Sequence, residues 1–374
     1  MADSWINCSV CGNRYGPRLS ACPMCGVPNN FAAAPPARKG SAGKVAVVAA
    51  AALAAVVLFL SAPTLIGVAT QQENNPVFTI LQQNQEPTAV PREELVQHAL
   101  DLINEDRADF GLPPVELSAN QAAQAHAQDV FNTKQISHWM TNGEKPYMTY
   151  SRYGGEGNVQ QNVAIAGFSA DQYEECRTSI LIDCERIEPL STIEELEFEM
   201  MYRDKECCND GHRDSILDPR HTHVSIGIVH DQYYLAFVEN FENNYGLDVD
   251  VNGGQVRISG ALMEGEVQQV GIYYDGMPTP AVYEENKRLL SYSAGELAAI
   301  VVEPLPPGYY YETPQGYAIM EANRWGEGGS VNVMFNLASA VEEDGVYTLF
   351  VVVEDGEETF NVTSYSIFVD AEDG

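Results

Sequence analysis

Two Cys-x-x-Cys knuckles, an uncharged stretch at residues 45–69 and a switch to strand-only patterning near Asn244 predict a multidomain fold. Its parts in order are a small zinc ribbon, one transmembrane helix, a mixed α+β domain and a C-terminal immunoglobulin-like β-sandwich. At 374 residues and 45% hydrophobic content, the chain is long enough for two or three packed cores.

The first part is residues 1–30. Cys8-x-x-Cys11-Gly12 and Cys22-Pro23-x-Cys25-Gly26 each let two thiolates converge on one ion, and the glycine after each pair permits the tight turn. Two such turns complete a tetrahedral sulfur shell that suits Zn²⁺, with iron as the alternative. A module this small does not fold without its metal. Residues 31–44, rich in Ala, Pro and Gly, read as a cytoplasmic tether.

Residues 45–69 are long enough at helical rise to cross a bilayer. Arg38, Lys39 and Lys44 flank the N-terminal side, so the positive-inside rule places the N-terminus in the cytoplasm and everything after the span outside. A cleaved signal peptide ending near Ser61-Ala62-Pro63 is the rival, but a lead carrying its own folded motif fits a signal anchor better. The expected location is the cell membrane, single-pass, with a cytoplasmic partner for the ribbon left open. Residues 70–92, rich in Gln, Asn and Pro, read as a stalk.

The formal net charge is −33, yet residues 1–44 hold five basic residues against the single acid Asp3. So acidic a body repels phosphate, which excludes nucleic acid as a partner of the outer part. Cys176, Cys184, Cys207 and Cys208 fall on this outer side and read as disulfide cysteines, with a metal site as the lesser alternative. The expectation is two bridges from Cys176 and Cys184 onto the adjacent pair, with Cys207 not bonded to Cys208 and the pairing otherwise open.

Residues 93–245 mix helix and strand. Leu95, Ala99, Leu102 and Ile103 recur at helical spacing up to Gly111, Asn120–Thr133 form a second helix, and Ile193–Cys208 a third. His126 lies in the second helix and, as a lone helical histidine, is left out of any site. Val224–Ile228 and Tyr233–Val238 predict a hairpin. His221 and His223 precede it on one face and read as surface histidines. In residues 246–374, Val249/Val251 and Val256/Ile258 alternate across Asn252-Gly253-Gly254, a tight-hairpin signature. About seven short strands separated by Pro and Gly turns give the sandwich. Asn361-Val362-Thr363 is one glycosylation sequon.

Four stretches in the mixed domain stand together: LINEDRADFGLPPVELS (Leu102–Ser118), Ser137-His138-Trp139, QQNVA (Gln160–Ala164), and Gly211 to Phe241. They resemble the CAP superfamily (SCP/TAPS; cysteine-rich secretory protein, antigen 5, pathogenesis-related 1), especially its prokaryotic, archaeal-like secreted branch. The resemblance implies an α-β-α sandwich with an open cleft faced by two histidines and two glutamates. The histidines match His138 and His212. Gln161 stands where the first glutamate belongs, and Asp204, with Glu206 as runner-up, stands near the second. Neutral imidazoles ligate Zn²⁺, so a cleft zinc is implied. A glutamine cannot serve as general base, which weakens hydrolysis. The expected function is a membrane-anchored binder of a lipid, envelope component or protein partner. A metal-dependent hydrolase using His138, His212 and Asp204, and a transmembrane sensor or scaffold, are the alternatives.

Overall fold

The computed structural model describes residues 6–7, 14–15, 90–179, 182–312, 316–356 and 358–370. The predicted ribbon ligands Cys8, Cys11, Cys22 and Cys25 and the predicted span 45–69 lie outside these residues. Two short strands, β1 (Ile6–Asn7) and β2 (Arg14–Tyr15), pair antiparallel on either side of the first knuckle. Among the described residues no helix is long and apolar enough to cross a membrane.

Helix α1 (Arg92–Asp109) opens with Glu93 and Glu94 and ends with Arg107, charges that complement its dipole. It buries Leu95, Ala99 and Ile103 of the predicted stripe together with Val96 and Leu100, while Leu102 is only partly buried. Then come β3 (Glu116–Leu117), α2 (Ala122–Thr133), α3 (Pro146–Arg152), β4 (Asn158–Gly167), α4 (Ala170–Thr178) and α5 (Pro189–Tyr202). The single turn α6 (Lys205–Cys208) and α7 (Gly211–Ile216) lead into β5 (His223–His230) and β6 (Tyr234–Asn243). The predicted third helix is therefore broken after Tyr202.

The sheet runs β3-β5-β6-β4, parallel at β3/β5 and antiparallel elsewhere, with β4 on an edge. Alternation sends Val224, Ile226, Ile228, Leu235, Phe237 and Phe241 to one face, where α1 and α5 cover them. Ala123, Ala127 and Val130 of α2 cover the other face against Val163, Ala236 and Val238. Gly227 sets that spacing: a Cβ there would meet the Ala123 carbonyl oxygen at 2.1 Å. Arg107 is wholly buried and donates to the carbonyls of Pro113, Ile216, Asp218 and His221, tying α1 to the Ile-Leu-Asp-Pro loop. Burial pulls its guanidinium down to about 10 while Asp218 pulls the other way.

The remainder is β-rich: β7 (Asp248–Asn252), β8 (Gln255–Ala261), β9 (Glu266–Asp275), α8 (Pro280–Asn286), β10 (Glu296–Val302), β11 (Ala318–Glu321), β12 (Ser330–Asn336), β13 (Gly345–Asp355) and β14 (Glu358–Val369). A five-stranded sheet, β11-β10-β9-β13-β14, and a three-stranded one, β12-β8-β7, share a single apolar core. The Asn252-Gly253-Gly254 hairpin forms, with both glycines at positive φ. Helix α8 and strand β11 have no counterpart in the sequence reading.

The described residues from Val90 onward fall within one compact unit. Tyr147, Met148, Tyr150 and Val159 pack with Tyr283, Tyr292 and Val346. Lys145 Nζ sits 2.6 Å from Asp275, Tyr147 OH donates to the same carboxylate, and Ser364 Oγ accepts from the Val159 backbone at 3.1 Å.

Three expectations are corrected here. Cys176 bonds to Cys184 and Cys207 to Cys208, so neither bridge crosses between the two segments. Cys176 and Cys184 have Cα atoms 5.8 Å apart across a short loop after α4, within bridging reach of each other. Asn361 of the sequon is 1% exposed and packed in β14, so the folded chain offers it to no glycosyl donor. His221 is not a surface residue: it is buried, stacked on Phe241, with Nδ1 2.7 Å from Asn243.

Candidate functional site: a two-histidine cleft

His138 follows α2 in a turn fixed by Ser137, whose hydroxyl accepts the Trp139 N–H at 3.0 Å. Its Nδ1 lies 3.1 Å from Gln161 Oε1 on β4. The Gln161 amide donates to His126 Nδ1 at 3.3 Å and to Asn240 Oδ1 at 3.1 Å. His126 Nε2 reaches the Ser137 carbonyl at 2.8 Å, which closes the network onto the turn that carries His138. With Nδ1 of His126 accepting and Nε2 donating, this ring is satisfied as a neutral imidazole. Burial lowers both rings, and His138 falls to about 4, with the Gln161 hydrogen bond opposing and His212 adding.

His212 begins α7 and is held by a charge. Asp204 Oδ1 takes its Nδ1 at 2.6 Å and Oδ2 its backbone N–H at 2.7 Å. The Asp204 side chain is 1% exposed and that of His212 17%. Because β4 is an edge strand, the α6–α7 turn can reach around it. Gln161 and Asn162 are neighbours pointing to opposite faces. Gln161 serves His138, while Asn162 Nδ2 donates to the His212 carbonyl and to Glu239 Oε2, both at 3.2 Å. Beneath lies a second buried pair. Burial lifts Glu239 to about 7, its hydrogen bonds to Glu197 and Asn162 opposing, and raises Glu197 further with Glu239 facing it.

The two histidines line one cavity of about 170 Å³, with Ile136, Val163, Cys208 and Leu289 among its walls. The resemblance implied an open cleft. Here Arg288, Leu289 and Leu290, just after α8, form part of its wall, and the Tyr292 ring stands 5.1 Å from that of His138. The β-rich region thus contributes a roof. Of the four predicted cleft residues, His138 and His212 line the cavity, and Gln161 and Asp204 are their hydrogen-bond partners. His126, Asn240 and the roof were missed. Asn240 had a signal: it stands directly across from Gln161 in the β4/β6 register, a polar residue in an aromatic strand. His126 and the roof had none.

For metal, His138 and His212 offer imidazoles on one cavity, and the Asp204–His212 bond is the carboxylate–histidine arrangement that orients a ligating ring. For acid–base work the set is poor. Gln161 has no proton to exchange, and Asp204 is occupied by two donors.

Residues 100–241 match the model of the CAP family, described as the cysteine-rich secretory protein family. The match covers that segment alone, less than half of the chain. No curated protein matches the chain. One similar solved structure is an extracellular protein containing a SCP domain from Bacillus anthracis str. Ames, at 18% identity over 44% of this chain and 49% of that one, with a TM-score of 0.28. The chain thus spans about half the length of that structure, and likeness at this level carries no argument.

Proposed function

We propose that this chain is an extracellular CAP-domain binding protein, tethered by the predicted span 45–69, whose two-histidine cleft takes an apolar group of a lipid, envelope component or protein partner. The observation that carries the reading is the bonding of His138 to an amide instead of a carboxylate. A buried neutral imidazole beside Gln161 organises a wall and moves no proton. A volume of about 170 Å³ falls below the ~300 Å³ at which small-molecule sites begin. The cleft therefore suits one apolar end of a ligand, seated against Ile136, Val163 and Leu289. A zinc ion on His138 and His212 is compatible with this use as an anchor for a polar head. A cytoplasmic contact through the ribbon would extend the protein's reach across the membrane.

The test uses residues 90–374 with Trp325→Phe, so that Trp139, next to His138, reports alone. A brominated fatty acid should quench Trp139 saturably, and Val163→Asp should abolish the effect. Unquenched fluorescence at every concentration would sink the proposal.

A further inference from the structure

At His212 lies a set of donors that shares His212 and Asp204 with the cleft and adds two sulfurs. After α5 the chain makes the single turn α6, and then Asn209 (φ 56°) and Asp210 (φ 66°) take left-handed conformations before α7 begins. Asparagine and aspartate tolerate that region better than most side chains, so this turn is written into the sequence. It brings Asp204, Cys207, Cys208 and His212 together: one carboxylate oxygen, two sulfurs and one imidazole nitrogen all lie within 4.8 Å of one another. Cys207 Sγ is 3.5 Å from Asp204 Oδ1. Tetrahedral zinc, with bonds of about 2.0–2.3 Å, puts its ligand atoms roughly 3.5 Å apart, so the bonded sulfurs and the Asp204–His212 pair, now 2.6 Å apart, must each open to admit the ion.

In the structure the two sulfurs are bonded to each other. In that state neither offers a thiolate, and thiolate is the form that ligates. Cys207 is exposed and Cys208 lines the cavity, so both a reductant and an ion have access.

We propose that Cys207 and Cys208 are the gate and two of the ligands of a site for a thiophilic divalent cation, completed by Asp204 and His212. A dithiol opens it: the Cys207–Cys208 bond accepts two electrons and two protons, and the dithiol leaves as its own disulfide. Zn²⁺ then displaces the two thiol protons and forms two zinc–sulfur bonds, and Asp204 and His212 supply oxygen and nitrogen. Two sulfurs in the set favour Zn²⁺ or Cd²⁺ over the oxygen-seeking Mg²⁺ and Ca²⁺. The site uses neither His138 nor Gln161 and stands whether or not the cleft takes an apolar ligand.

The test measures zinc bound to the full-length chain in detergent before and after treatment with a water-soluble phosphine, which reduces disulfides without chelating. Reduction should add one zinc per chain above the as-isolated value. Cys176→Ser/Cys184→Ser should show the same gain, while Cys207→Ser/Cys208→Ser and Asp204→Asn should show none. No gain in the native chain, or a gain that survives Cys207→Ser/Cys208→Ser, overturns the proposal. Should those variants fail to fold, Cd²⁺ added to the reduced Cys176→Ser/Cys184→Ser chain decides. New near-ultraviolet thiolate-to-cadmium absorbance, equivalent to two sulfurs per ion taken up, supports the site, and its absence rejects it.

Discussion

The two sides of the cleft hold their histidines by different means. His138 is buried against a neutral amide in a network of His126, Gln161, Asn240 and the Ser137 carbonyl. His212 is partly exposed and clamped twice by the Asp204 carboxylate. Adjacent residues of one edge strand serve the two sides, yet one side is a neutral wall and the other a carboxylate clamp next to the Cys207–Cys208 pair. A cleft can thus keep its outline while only one of its histidines keeps a carboxylate partner.

Breaking the charged side should have the largest effect. Asp204→Ala leaves the His212 backbone N–H without its buried acceptor and should cost about 3 kcal/mol or more in denaturant unfolding. A loss below about 1 kcal/mol would mean that water replaces the carboxylate and that the clamp is weak.

Gly227→Ala tests whether the sides are separable. The new Cβ would push into the Ala123 carbonyl and lift α2, which carries His126. Overpacking of this kind costs typically 1–3 kcal/mol. In NMR spectra the His126 and His138 signals should move while those of His212 stay. Equal shifts at all three would show one rigid unit instead of two.

The pH response sharpens the contrast last. His138 titrates at about 4 in the folded chain against an ordinary 6.5, so the unfolded chain takes up that proton first. Its contribution to stability is intact above pH 6.5 and is lost as pH falls toward 4. His138→Phe should flatten the stability profile across this window by up to about 1.4 kcal/mol per pH unit. Glu239 acts with the opposite sign, because its folded carboxyl, at about 7, takes up a proton before the unfolded one does. Hence the informative quantity is the difference between native chain and variant.

What was legible in the sequence follows from range. The α1 stripe, the β5–β6 hairpin and the Asn252-Gly253-Gly254 turn depend on residues close in sequence, where period and turn chemistry decide. The cleft pairs were legible because their motifs sit in the CAP-like order. The bonding of Cys207 to Cys208 was not, because the reading sent each toward Cys176 or Cys184, whereas the bond joins sequence neighbours. Nor was the burial of Asn361, whose carbonyl accepts from Asn243 across 118 positions of chain. Arg107 looks like a surface residue at a helix end until its four carbonyl partners are assembled.

Strand β14 has a consequence for how this molecule is made. Ser364 Oγ accepts the backbone N–H of Val159, and Ser366 N–H reaches Ser151, across 205 and 215 positions of chain. At roughly 5–20 residues per second, a ribosome delivers these partners about 10–40 s after it delivers β4. Until then the flank of the middle domain around Ser151 and Val159 stands without these partners. This flank of the middle domain is thereby completed only after β14 has been made.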